Sequence, residues 1–143
     1  MRRVLVDLNL VLDVLLDRAP YVEGSAALWA SIESGEAEGL LSAHCVTTLH
    51  YLASRSGGRA FGDRCVSDVL AVFGVAAVDR SVLEEALELG WVDFEDAVSA
   101  AAAVAAGCHL IATRDPAGFR KSAIPALDPK AALLAVRASR PVG

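Results

Sequence analysis

The chain has 143 residues, 55% of them hydrophobic, and a formal net charge of −5. That length suits one domain around one core, and that composition can fill the core, which excludes an intrinsically disordered chain. The acidic balance excludes a protein that coats nucleic acid through global positive charge, while a local basic patch stays compatible with it.

Met1-Arg2-Arg3 before an apolar run mimics a signal peptide, but Asp7 and Asp13 interrupt the run and no small-residue cleavage site follows. Val4–Asp7 predicts a short strand, apolar on both faces as in a buried parallel sheet. Leu8–Asp17 predicts a helix with Leu8, Val11, Leu12, Leu15 and Leu16 on its inner face, ended by Arg18-Ala19-Pro20. A second helix follows from about Tyr21 to Ser34, stopped by Gly35. Glu38–Ala43 reads as a strand and His44–Ala53 as a helix closed by Ser56-Gly57-Gly58. Ala60–Phe73 is helical and Val75–Val78 a short strand. Ser81–Leu89 is helical, with Ser81 and Glu84 in capping-box spacing. Asp93–Ala106 is an alanine-rich helix ended by Gly107; its run Ala97–Ala106 is too short to span a bilayer. His109–Thr113 and Ile124–Leu127 complete the strands, and Lys130–Arg137 is a last helix after Asp128-Pro129. Alternating strands and helices predict a three-layer α/β/α fold with a central parallel sheet of four to five strands. Cys45, Cys65 and Cys108 lack metal-like spacing and read as buried free thiols in a soluble, cytoplasmic protein.

Aspartates stand where apolar runs stop. Val4-Leu5-Val6 runs into Asp7, followed at once by Leu8-Asn9, and Leu110-Ile111-Ala112-Thr113 runs into Arg114-Asp115. Between them, Asp93-Phe94-Glu95-Asp96 opens the alanine-rich helix. Open parallel sheets bind ligands at the carboxyl ends of their strands, and Asp7 and Asp115 fall at such ends. Asp96 lies one turn into the helix that feeds the Asp115 strand, so its place relative to the strand ends is open. Each acid also has a plainer role: Asp7 and Asp93 as helix caps, Asp96 as a complement to the helix dipole, Asp115 as a turn residue before Pro116.

Carboxylates gathered at one point repel, and a divalent cation relieves them. Mg²⁺ and Mn²⁺ prefer oxygen ligands completed by water, and the lack of a His/Cys set argues against zinc. Asn9 and Thr113 are placed to orient the carboxylates or a bound water, or simply to serve helix-start and strand-end hydrogen bonds. Together these residues make the chain a candidate metal-dependent phosphodiesterase. Arg114, Arg120 and Lys121 lie nearest the acids and are placed to meet an RNA strand, whereas Arg55, Arg59 and Arg64 around the glycine pair read as a solvated face. That glycine pair lacks the Gly-Lys-Ser/Thr of a phosphate loop. His44, His50 and His109 are scattered and read as non-ligands; Trp29 and Trp91 read as core or interface.

Asp7-Leu-Asn9-Leu-Val-Leu-Asp13, Phe94-Glu95-Asp96-Ala97 and Thr113-Arg114-Asp115 with Phe119 downstream resemble, in order and spacing, the PIN-domain family of small nucleases, which includes VapC-type toxins. The resemblance runs from about Val4 to Leu134 and includes Ile124-Pro125-Ala126-Leu127-Asp128-Pro129. Length and composition predict a single domain over residues 1–137 with 138–143 as a flexible tail, and the resemblance implies that the first strand is central in the sheet. It also implies Asp7, Asp96 and Asp115 as catalytic ligands of Mg²⁺ or Mn²⁺, supported by Asn9 and Thr113. The implied activity is endonucleolytic RNA cleavage, and the implied partners are a cognate antitoxin protein and, in a homodimer, a second copy of the chain. Two departures stand out. Thr48 falls where the family usually has an acid in the helix after the second strand, and Gly118 stands where an Asp is frequent. Loss of the acid at Thr48 motivates an alternative, a catalytically weak or inactive module that binds RNA or protein. A haloacid-dehalogenase-type phosphatase, a third possibility, needs a second Asp two residues after the first, where this chain has Asn9.

Overall fold

The computed structural model describes residues 1–138. In chain order the elements are β1 (Arg3–Val6), α1 (Leu8–Leu15), α2 (Val22–Glu33), β2 (Glu38–Ser42), α3 (Ala43–Gly57), α4 (Arg59–Val72), β3 (Gly74–Ala76), α5 (Arg80–Leu89), α6 (Phe94–Ala105), β4 (Leu110–Ala112), a 3₁₀ turn (Pro116–Phe119), β5 (Ala126–Leu127) and α7 (Pro129–Ala138). The strands form one parallel sheet in the order β3-β2-β1-β4-β5, as the alternating pattern predicts, with β1 in the centre. Val4 lies opposite Gly39 and Leu110, and Leu5 opposite Leu40 and Ile111.

Both faces of the sheet are buried, which is why its strands read as unbroken apolar runs. Val4, Val6, Leu41, Leu110 and Ala112 face one core, shared with Leu10, Val11, Leu28, Leu49, Val69 and Val136 from α1, α2, α3, α4 and α7. Leu5, Leu40, Ala76 and Ile111 point to the other face, under α5 and α6. There α6 presents Ala97, Ala102 and Ala103, each 0% exposed, so little beyond Cβ separates helix from sheet. Three buried free thiols, Cys45, Cys65 and Cys108, match the sequence expectation.

Several expectations need correction. The helix after β2 runs on to Gly57 and is closed by Gly58, whose φ of 90° suits a residue without Cβ. The Ser81 capping box does not form: α5 starts one residue earlier, at Arg80, and Asp79 is its N-cap, accepting the Val82 N–H at 3.0 Å. The 3₁₀ turn was not anticipated. Ala138, expected to start a flexible tail, is the last residue of α7; the rest of that tail, residues 139–143, lies outside the described residues.

Gly39 shows how closely one layer meets the sheet. A Cβ there would sit 2.8 Å from Ile32 Cδ1 and 2.9 Å from Phe73 Cδ1. Gly39→Ala is therefore expected to destabilise the fold by about 1–3 kcal/mol through overpacking, read as a lowered denaturation midpoint with an unchanged m-value.

Candidate active site

From β1 the chain moves outward through β2 to β3, then returns to lay β4 on the other side of β1. The carboxyl ends of β1 and β4 therefore flank the point where strand order reverses, the place an open parallel sheet leaves a crevice. Asp7 is the first residue beyond β1, and its N–H continues the ladder to Ala112 O at 2.9 Å. It occupies the N-cap position of α1, yet its side chain makes no capping hydrogen bond. That carboxylate instead accepts the Thr113 hydroxyl at 2.9 Å through Oδ2. Thr113 is fully buried, and its Oγ1 in turn accepts the Asp115 N–H at 3.1 Å. One hydroxyl thus ties the end of β1 to the loop after β4.

Asp96 reaches the same place because α6 leads into β4 and runs antiparallel to it, so its first turn lies at the strands' carboxyl ends. Asp93 caps that turn, accepting the Asp96 N–H at 3.1 Å. Asp115 caps the 3₁₀ turn, accepting the Gly118 N–H at 3.3 Å. The plainer roles foreseen for these two acids are real and coexist with their convergence. A Cβ on Gly118 would lie 2.8 Å from Asp115 Oδ2 and 3.6 Å from Asp96 Oδ2, so both oxygens close over one bare backbone position. An aromatic pair holds the two loops together: Phe119, 2% exposed, meets Trp91 edge-on with ring centroids 5.8 Å apart.

The electrostatics are one-sided. Asp96 has its pKa pushed up to about 7, first by burial and then by Asp93, Asp7 and Asp115. Asp7 is also raised, chiefly by burial, against the lowering effects of the Thr113 hydroxyl, the Leu8 N–H and the Arg114 charge. Among the described residues, no arginine, lysine or histidine forms an ion pair with Asp7, Asp96 or Asp115. Asp7 and Asp96 are half-buried and Asp115 is exposed, and half-buried acids that lack an ion-pair partner and resist ionising suit a hard cation as well as a proton. No group of three acids, histidines or cysteines is already closed around a metal position among the described residues. One or two carboxylates with water would suffice for Mg²⁺, so this donor set fits it in kind.

The other expected residues are distributed as follows. Asn9 is exposed and receives Arg18 on its backbone O at 3.1 Å and on Oδ1 at 3.4 Å; no hydrogen bond joins it to the three acids among the described residues. Arg120 and Lys121 line a cleft of about 540 Å³ together with Asp93, Asp96 and Asp115. Arg114 is turned away, with Nε 3.2 Å from Asp13 and its guanidinium over the Tyr21 ring. Thr48 spends its hydroxyl inside α3, on His44 O at 3.3 Å, and supplies no charge. Arg55 sits at the far end of α3, about 18 Å from its start at the standard rise, and Arg59 opens α4 just beyond it, so both are remote from the acids. His50 pairs with Asp63 at 2.7 Å and His109 accepts the Arg3 N–H, so neither reaches the acids.

Sequence reasoning missed two features. Asp93 is not only a cap but a near neighbour that raises both Asp7 and Asp96. Asp13, 0% exposed, is the hub of an arginine cluster beside the site. A lone acid in an apolar helix, with an arginine five residues on, was the available signal.

A profile of the PIN domain matches residues 3–117. The chain belongs to the PIN-domain family. PIN domains are typically nucleases and commonly use divalent metals. The fold aligns with VapBC2 from Rickettsia felis bound to a promoter DNA fragment, at TM-score 0.69 and 11% identity over 88% of this chain and 98% of that one. It aligns with FitAcB from Neisseria gonorrhoeae at TM-score 0.64 and 20% identity, over 88% and 97% of the two chains. Mycobacterium tuberculosis VapC20, a sarcin–ricin loop cleaving toxin, aligns at TM-score 0.63 and 20% identity, over 76% of this chain and 86% of that one. No curated protein sequence matches the chain. At these identities the solved structures establish the PIN fold alone.

The raised Asp96 carboxyl gives a signed pH dependence. The folded protein holds this proton more tightly than the unfolded chain, so Asp96 costs stability as pH rises from the ordinary carboxyl range through about 7. Mg²⁺ or Mn²⁺ at the acids would remove that cost. Either ion is therefore expected to raise Tm more at about pH 8 than at about pH 5.5, where protons compete. Asp96→Asn should raise the metal-free Tm at the higher pH and shrink the metal effect and its pH dependence.

Proposed function

We propose that this protein is a Mg²⁺- or Mn²⁺-dependent endoribonuclease and the toxin of a toxin–antitoxin pair. The observation that carries this reading is the convergence of Asp7, Asp96 and Asp115, with no paired cation among the described residues, at the crevice end of a parallel sheet. Family membership makes nuclease chemistry the first expectation for such a pocket.

In this reading Asp7 is the central ligand, fixed by its ladder hydrogen bond and by Thr113. Asp96 and Asp115 complete the pocket and hold a water against the scissile phosphate. When bound, Mg²⁺ or Mn²⁺ supplies Lewis acidity for in-line attack on phosphorus and neutralises phosphate charge. Arg120 and Lys121, exposed on the same cleft, take phosphates of the strand, while Trp91 and Val92 offer apolar surface to its bases. Selectivity then rests on loops and RNA shape.

The toxin assignment is supported by structural neighbours that are toxin–antitoxin complexes, VapBC from Rickettsia felis and nontypeable Haemophilus influenzae and FitAB bound to a DNA fragment. A cognate antitoxin protein is the partner this implies, a homodimer is the expected assembly, and the cytoplasm is the compartment where RNA and antitoxin would be met. No helix among the described residues is long and apolar enough to cross a membrane. The second reading, a non-catalytic module that binds RNA or protein, is favoured by Thr48, whose hydroxyl is satisfied within its own helix and adds no acid to the pocket.

RNA cleavage by the purified protein should require Mg²⁺ or Mn²⁺ and stop in chelator. Asp7→Asn and Asp96→Asn should each lower the rate by at least about a hundredfold with the fold intact by circular dichroism. Cleavage surviving in both variants would refute the site, and RNA binding without metal-stimulated turnover would establish the second reading. Thr48→Glu, which restores an acid to the face of α3 that carries Cys45, should tighten metal binding and raise the rate.

A further inference from the structure

Asp13 is a carboxylate with no solvent exposure, and three groups converge on it. Arg18 pairs with its Oδ1 at 3.0 Å, Ser25 donates to its Oδ2 at 3.1 Å, and Arg114 Nε lies 3.2 Å from Oδ2. Two guanidinium groups thus share one carboxylate, which leaves one positive charge without a partner inside the cluster. Arg114 also lies over Tyr21, its Cζ 3.9 Å from the ring centroid, so the guanidinium is held at one face by the ring, while its buried Nε meets Asp13 as a close ion pair without the alignment of a hydrogen bond. No hydrogen bond engages its terminal amino groups among the described residues. Arg114, Tyr21 and Lys130 line a cleft of about 280 Å³. Asp128 is on the same cleft, but its Oδ1 caps α7 through the Ala131 N–H and Lys130 offsets its charge. Arg114 stands between Thr113 and Asp115 in the chain, and its charge is felt at Asp7.

We infer that this cleft is a phosphate-binding subsite for a non-scissile phosphate of single-stranded RNA, with Arg114 as the binding group and Asp13 as the residue that positions it. The inference takes the polymer's identity from the ribonuclease reading and adds a second anchor to it. The acids would repel a polyanion until a cation fills them, and the chain is acidic as a whole. A surplus cation in a cleft separate from the one that Arg120 and Lys121 line would let a strand be held at a second point away from the cleavage point. Burying Asp13 is costly unless it is fully paired; here that pairing delivers an arginine in one defined orientation.

The test is fluorescence anisotropy of a short, labelled, mixed-sequence single-stranded RNA, titrated in chelator so that cleavage is off, at several salt concentrations. Arg114→Ala leaves Asp13 with Arg18 and Ser25 and should fold. It is expected to weaken binding about three- to tenfold near 100 mM salt and to make the log–log salt slope shallower by about 0.7. Arg114→Lys keeps the charge, so the slope should stay while affinity falls. Asp13→Asn removes a negative charge, and global electrostatics alone would then tighten RNA binding; the proposed subsite requires it to weaken. An Arg114→Ala protein with unchanged affinity and slope, a folded Asp13→Asn protein that binds more tightly, or a wild-type protein that binds the RNA neither in chelator nor with Ca²⁺ added to screen the acids would each overturn the subsite. Arg114-dependent binding with no metal-stimulated cleavage would sink only the ribonuclease reading.

Discussion

The pairing of β1 with β4, locked at its end by the Thr113 hydroxyl, is the constraint on which the site depends. The register sets Val6 beside Ala112, and the next residue on each strand is a site residue. Asp7 donates its N–H to Ala112, while Thr113 donates its hydroxyl to Asp7 and accepts the Asp115 N–H. Because Thr113 is fully buried, none of these bonds can be exchanged cheaply for water. Residues more than a hundred positions apart are thereby held to within a hydrogen bond of one another. The 3₁₀ turn and its buried Phe119 extend the same control to the loop carrying Asp115, and the Trp91 edge contact brings in the loop before α6.

Two acids of α1 and its cap show opposite treatments of a buried charge. Asp13 is surrounded by two arginines and a serine. Asp7, under two turns earlier, has the Thr113 hydroxyl and no ion pair among the described residues; Arg114 acts on it only at a distance, and Asp93 opposes that effect. A protein that neutralises one buried aspartate so thoroughly and leaves its neighbours opposed is storing unfavourable electrostatics at one place, which is what a cation-binding site requires before its ion arrives. Asp96, pushed up to about 7, registers that tension most strongly.

Much of this was legible in the sequence. Apolar runs ending in Asp7 and in Thr113-Arg114-Asp115 announce buried parallel strands with polar residues at their carboxyl ends, and the alanine run announces a helix pressed against the sheet. The direction of α6 follows from parallel strands, but the sequence left the place of Asp96 relative to the strand ends open, and only the packing of α6 on the sheet brings its first turn beside Asp115. What sequence could not supply was partner choice. Arg114 beside Asp115 reads as a cation for the site, and only packing reveals that Asp13 and Tyr21 hold it. Ser81 and Asp79 both fit a helix start, and tertiary position selected Asp79. Thr48 at a position that usually bears an acid was visible, but not that its hydroxyl turns back on its own helix.

The central claim is that Asp7, Asp96 and Asp115 together bind a hard divalent cation. Anomalous diffraction from crystals soaked in Mn²⁺ tests it most directly. A single strong peak within coordinating distance of Asp7 and at least one of Asp96 and Asp115 is the predicted result. No peak there at millimolar Mn²⁺ and neutral pH, or a basic side chain swung in to pair with Asp7 instead, would contradict it.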